Sequence, residues 1–172
     1  IPDSVTTIGD YAFYSCSSLT SVTIPDSVTL IGRWAFCNCS SLASIGIHNG
    51  LTRIGNYAFR NCKSLMNIEI PNSVTNIGSS AFENCTRLVC IEIQSSVTSI
   101  GDSAFNGCTS LTFVVFKCDA PQNFPSGLDS LKVVYYPPEA TGFTTPEWNG
   151  YPCYPMSEIN DFSSLDENNK NN

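Results

Sequence analysis

A chain of 172 residues that holds one histidine and only eight lysines and arginines has little catalytic or nucleic-acid chemistry available to it. Any Ser-His-Asp or Cys-His site must use His48, which stands at the turn end of a strand and reads as a solvated turn residue. Fifteen acidic residues bring the net charge to −7. That excess argues against nucleic acid, because a phosphate backbone needs clustered Lys and Arg. No apolar run is long enough to cross a bilayer as a helix. The first residues lack the basic region and apolar stretch of a signal peptide, yet Ile1 enters where a strand should be ending, so the chain reads as cut from something longer. A phosphate-cradling glycine loop, a zinc-spaced Cys/His set and a nucleophile elbow are all missing. No catalytic residue, metal or cofactor is expected.

What is present is a period. A unit opens at Ile1, Ile24, Ile47, Ile70 and Ile93, each 23 residues after the last. Within it Ile-Gly recurs at Ile31-Gly32, Ala-Phe at Ala35-Phe36, cysteine at Cys39 and leucine at Leu42, with equivalents in the other units. A fixed period of this size marks a solenoid, whose units bury their apolar faces only against each other.

One unit can be read residue by residue. Leu19 to Ile24 is a short strand with Val22 and Ile24 inward at period two, and Pro25 with Asp26-Ser27 ends it. Val28 and Ile31 form a second short extended side. Arg33 to Asn38 is expected to carry one turn of helix, too short to persist without packing. Each unit is thus a flattened coil, with a parallel sheet on one face and short helical or 3-10 turns on the other. Nine cysteines suggest disulfides until their spacing is considered. Cys16, Cys39, Cys62, Cys85 and Cys108 hold one repeat position and stack roughly 4.8 Å apart. Stacked equivalents point the same way, whereas a disulfide needs Cβ atoms that face each other, so the five are expected to form a buried ladder of reduced thiols. Of the remaining four, only Cys118 with Cys153 is a candidate pair.

The spacing of Leu19, Val22 and Ile24 resembles the L-x-x-L-x-L signature of the leucine-rich repeat family. The fuller form I-P-x-S-V-T-x-I-G-x-x-A-F-x-x-C-x-x-L is similar to its BspA-type branch, known from bacterial and protozoan surface proteins. The resemblance covers Ile1 to about Tyr136 and implies an α/β, right-handed leucine-rich-repeat solenoid of horseshoe form. Residues 1–137 are assigned to five 23-residue units and one shortened unit, Lys117 to Ser130. Residues 138–156, rich in Pro, Gly and aromatics, are assigned to a C-terminal cap that lays Phe143, Trp148 and Tyr151 over the last coil. Residues 157–172 are assigned to a disordered polar tail.

Packing explains the recurring residues, so function should lie in the variable outward positions. Phe113, Val115, Val133 and Tyr135 make the outward columns apolar on the last two strands, where Ser21, Thr23, Ser44 and Gly46 are small or polar. Such a patch either meets a partner or is covered by the cap. Glu69 and Glu92 hold one strand position in adjacent units, which would place their carboxylates roughly 5 Å apart, as in a retaining glycosidase. They would equally suit a shared calcium ion, but the face is shallow and no third acidic ligand shares the column. Two solvated glutamates are the simpler account. Tyr11, Trp34 and Tyr57 form a separate aromatic column, read as packing or as a stripe for a partner or carbohydrate. Asn38-Cys39-Ser40 and Asn84-Cys85-Thr86 fit the glycosylation sequon.

The resemblance implies a non-enzymatic binding module, the ectodomain fragment of a cell-surface or secreted adhesion protein. Its partner would be another protein or a surface glycan, with no nucleic acid and no membrane span. An intracellular interaction scaffold is the alternative, and a carboxylate-based glycan hydrolase at Glu69 and Glu92 a further one. The amino-terminal edge, with nothing to cap it, is expected to fray or to self-associate end to end.

Overall fold

The computed structural model describes residues 1–121, 124, 128 and 130–158. In chain order its strands are β1 (Thr7–Ile8), β2 (Ser21–Thr23), β3 (Leu30–Ile31), β4 (Ser44–Gly46), β5 (Arg53–Ile54) and β6 (Asn76–Ile77). They continue with β7 (Cys90–Ile93), β8 (Ser99–Ile100), β9 (Phe113–Phe116), β10 (Val133–Tyr136), β11 (Glu147–Trp148) and β12 (Tyr151–Pro155). The chain is a parallel-sheet solenoid, with the repeat period visible in the registers from β1 to β9. Thr7 pairs with Leu30, Leu30 with Arg53, Arg53 with Asn76 and Asn76 with Ser99.

Two differences from the sequence reading concern the faces of the coil. A parallel sheet was expected on one face, but the second extended side also forms a ladder, in the order β1-β3-β5-β6-β8. The strands of the L-x-x-L-x-L segments are divided between a pair, β2-β4, and a larger sheet, β11-β12-β10-β9-β7. Between β4 and β7, residues 67–70 belong to no strand. The other difference is the helical turn, which is not formed. Trp34, Phe36 and Asn38 donate their N–H groups to the carbonyls of Asn56, Ala58 and Arg60 in the next coil, at 3.0, 2.8 and 2.8 Å. Donors committed across coils cannot close intrahelical bonds. Left-handed backbone at Trp34 (φ 59°) and Asn38 (φ 62°) bounds the segment at both ends. What remains is a single turn, closed by Cys37 N–H on Trp34 C=O at 3.1 Å. Among the described residues the only helical piece is the 3-10 turn Met156–Glu158.

The core is a set of ladders. Phe36, Phe59, Phe82 and Phe105 are fully buried and stack in nearly parallel rings 5.4–5.5 Å apart. Cys39, Cys62, Cys85 and Cys108 are buried and free, but Cys16 is exposed, which corrects the expectation of five buried thiols. It lies in the first described coil, which packs on the Cys39 coil alone. Cys118 and Cys153 are both free thiols.

At the other end the aromatics of residues 143–151 close the stack. Phe143 stacks on Tyr136 at 4.6 Å, and Trp148 meets Phe116 at 5.7 Å and Phe124 at 5.1 Å. β12 continues the sheet parallel to β10, and β11 folds back antiparallel on β12. The polar tail expected from residue 157 falls outside the described residues from 159 onward, and so do residues 122–123, 125–127 and 129 of the shortened unit.

Candidate binding surface

Strand alternation decides which side chains leave the core. In β9, Val114 and Phe116 point inward and are fully buried, so Phe113 and Val115 stand on the outer face. The parallel register places Cys90, Phe113 and Val133 side by side, and likewise Glu92, Val115, Tyr135 and Tyr154. The four apolar residues singled out in the sequence are therefore brought together. Phe113, Val133 and Tyr135 are half-buried. Val115 is 1% exposed, shut in by its neighbours despite its outward position.

Tyr154, 37% exposed, extends the patch along β12. Its place was missed because the cap residues lack the repeat pattern that fixes register elsewhere. Alternation within Tyr151–Pro155 was the one signal available. Desolvation raises the pKa of Tyr135, and Tyr154 beside it adds to the effect, as expected where two phenols share partly dry surface.

The cap does not fold back over this patch through Phe143 or Trp148. Both pack on Phe116, and Tyr136 and Phe124 complete the cluster at the end of the core. At the rim Glu92 is exposed and ion-paired with Lys117, with 3.8 Å between Oε2 and Nζ.

Glu69 is exposed and lies in the unpaired segment. The sheet register that would have aligned it with Glu92 is therefore absent. The interruption opens a cleft of about 490 Å3 lined by Asn67, Glu69, Cys90, Glu92 and Gln94 among others. No group of three His, Cys, Asp or Glu among the described residues is placed to hold a metal ion. His48 stands 3.6 Å from Asp26 through Nδ1, both side chains open to solvent. No helix among the described residues is long and apolar enough to cross a membrane.

Residues 1–117 match the BspA type leucine rich repeat region in six copies. Among solved structures, a leucine-rich repeat protein of T. pallidum is 37% identical, with a TM-score of 0.69 over 76% of this chain and 62% of its own. A leucine-rich repeat protein from Bacteroides ovatus is 36% identical, with a TM-score of 0.66 over 76% of this chain and 35% of its own. A leucine-rich cell surface protein from Faecalibacterium prausnitzii is 38% identical, with a TM-score of 0.59 over 77% of this chain and 33% of its own. The chain thus spans between a third and two thirds of the length of these relatives. No curated protein matches it.

Proposed function

The chain belongs to the BspA-type leucine-rich repeat family, and from that premise we propose that it is a non-enzymatic binding module whose contact surface is the outer face of β7, β9, β10 and β12. The observation that carries this reading is the patch of Phe113, Val133, Tyr135 and Tyr154, with the buried Val115 in register with Tyr135, on an outer face that carries Ser21, Thr23, Ser44 and Gly46 in the first coils. The patch has an apolar centre, aromatic edges and the Glu92–Lys117 pair at its rim, which is the anatomy of a protein interface. Glu69 and Glu92 take the part of rim carboxylates, with the cleft between them open to a partner's polar groups.

The protein's place is proposed as the cell surface or the secreted fraction, as an adhesion ectodomain. The cell surface protein of Faecalibacterium prausnitzii supports that location by its likeness. An intracellular interaction scaffold is the second reading, favoured by the nine free thiols. Recovery of intact, unbridged protein after exposure to extracellular oxidising conditions would favour the surface; intermolecular bridging would favour the interior.

The surface itself is tested with the double variant Phe113→Ser/Tyr135→Ser. Adhesion to immobilised extracellular-matrix proteins and to epithelial cells should be lost, with the melting temperature lowered by only a few degrees, because both side chains are partly open to solvent. Undiminished adhesion by the double variant overturns the surface assignment.

A further inference from the structure

On the turn side of the coils, aromatic residues occupy positions where the backbone does not suit them. Tyr11, Trp34 and Tyr57 share one slot of the repeat with Ser80 and Ser103, and all five have a left-handed φ of 51–61°. A left-handed backbone is unfavourable for a bulky side chain. Serine fills the slot in the next two coils without loss of the stack. Ser80 N–H reaches Asp102 C=O at 2.9 Å, just as Trp34 N–H reaches Asn56 C=O at 3.0 Å. Residues held in a strained backbone that the fold does not require point towards function.

The rings form a ridge. Trp34 lies parallel to Tyr11 at 6.2 Å and to Tyr57 at 4.2 Å. Tyr14 meets Tyr11 and Trp34 edge to face at 5.6 and 6.5 Å. Tyr11 and Tyr14 are exposed, and Trp34 and Tyr57 half-buried.

Electrostatics select the ligand class. Rings stacked face to face present their edges to solvent, and the edge is the positive part of the aromatic quadrupole. Arg33, Arg60 and Lys63 lie along the same turns, three of eight basic residues in a chain of net charge −7. The Arg60 guanidinium lies 5.7 Å from the Trp34 ring and 5.8 Å from the Tyr57 ring, and it holds the Glu83 carboxylate at 3.2 Å. One carboxylate is therefore already bound beside the ridge from within the chain. At the other end Arg33 is exposed, next in sequence to Trp34, and Asp10 is the acidic residue nearest by contact, accepting the Arg33 backbone N–H at 2.6 Å. Tyrosine, tryptophan and arginine are the residues that concentrate binding energy at protein interfaces. A pyranose would need a free ring face, and the Trp34–Tyr57 stack leaves little of one.

We infer that Tyr11, Tyr14, Trp34 and Tyr57, with Arg33 and Arg60, form a second binding surface, which takes an acidic peptide segment. The peptide's carboxylates meet the ring edges, the tyrosine hydroxyls and the Arg33 guanidinium. This surface lies on the turn side of the coil and is independent of the outer sheet face.

The chain's two tryptophans supply the assay, because Trp34 belongs to the ridge and Trp148 is buried in the cap. In a proton–nitrogen NMR titration with a blocked (Gly-Glu)4 peptide, the Trp34 indole signal should shift saturably while that of Trp148 stays still. A (Gly-Gln)4 peptide should leave both in place, and Arg33→Gln and Tyr14→Ser should each weaken the apparent affinity by about tenfold. The inference is overturned if the Glu peptide gives no saturable shift, or if the Gln peptide shifts the signal equally. It is overturned too if both variants bind as wild type, since a fall in melting temperature alone would make the ridge a packing device. A response to a glucuronate oligosaccharide but not to the peptide would replace the peptide by an anionic glycan.

Discussion

Cys39, Cys62, Cys85 and Cys108 each donate a thiol hydrogen to the carbonyl of the phenylalanine 26 residues earlier, at 3.1–3.2 Å. A weak donor thereby satisfies a carbonyl inside the core, where an unpaired one would be costly. Burial pushes Cys39 up to about 11 from its ordinary 9.0, and Cys62 and Cys85 higher still. Raised thiol pKa values mean that the fold favours the protonated form. Their contribution is therefore complete below pH 9 and declines above it, that of Cys39 being lost as pH climbs through 11. Denaturant midpoints should be flat from pH 7 to 8.5 and fall steeply above 9. In native protein at pH 8, exposed Cys16 should react rapidly with a thiol reagent, and the four ladder thiols only after unfolding. A second ladder runs through asparagine: Asn61 Nδ2 donates to Asn38 Oδ1 at 2.7 Å, and Asn84 Nδ2 to Asn61 Oδ1 at 3.1 Å. The two sequon asparagines are thus structural, and all three have left-handed backbone. Asn61→Ala removes both bonds and leaves alanine in that conformation, so it should cost about 2 kcal/mol. Asn61→Gly should cost less, because glycine accepts the backbone angle, as Gly107 (φ 70°) does in the same slot. Paired thermal melts would separate the two effects.

At the scale of the element, residues 67–70 interrupt the sheet between β4 and β7. Ser27 and Ser73 tie their coils to the coil before, through hydroxyl bonds to Val5 C=O at 2.7 Å and Leu51 C=O at 2.6 Å. Coil three has Gly50 at that position and lacks the tie, yet β2 and β4 beside it still pair, and the Ser73 tie is present where the ladder is lost, so the interruption does not follow from one missing hydroxyl. A side chain cannot be restored there, since a Cβ on Gly50 would lie 1.9 Å from Asp26 O. Ile45 and Ile68 are 8% and 7% exposed, whereas their equivalents Ile91 and Val114 are 1% and 0% exposed. Amide hydrogens of residues 67–70 should exchange much faster than those of 113–116, because ladder bonds and burial are what protect them. Equal protection in hydrogen-exchange mass spectrometry would mean that the sheet closes in solution.

For the whole molecule, the two ends of the stack are unlike. At the amino-terminal end Ile1 is 41% exposed, and Val5, Phe13 and Leu19 are only half-buried, although their equivalents Val28, Phe36 and Leu42 are fully covered. The other end is closed by aromatic packing. In a solenoid each coil is stabilised only by its neighbours, so damage at an end travels inward. Trp148→Ala should therefore cost about 3–5 kcal/mol and weaken the coils of β9 and β10 before those of β3 and β5, which residue-resolved exchange would report.

The period determined most of this from the sequence alone: the coil, the inward columns of Phe36, Cys39 and Leu42, the strand positions, and the gathering of Phe113, Val115, Val133 and Tyr135 on one face. Most of these follow because a repeat of constant length forces equivalent residues into register, and the recurring strand pattern Leu131 to Tyr136 carries it across the shortened unit. The tertiary structure decided what depends on how backbone groups choose their partners. Whether Trp34 to Asn38 became a helix rested on donors that bond to the next coil, and that choice is invisible in local propensity. Whether Glu69 aligned with Glu92 rested on a ladder that residues 67–70 do not form. The final contacts of Phe143, Trp148 and Tyr154 lay outside the period altogether, and only packing against the last coil could place them.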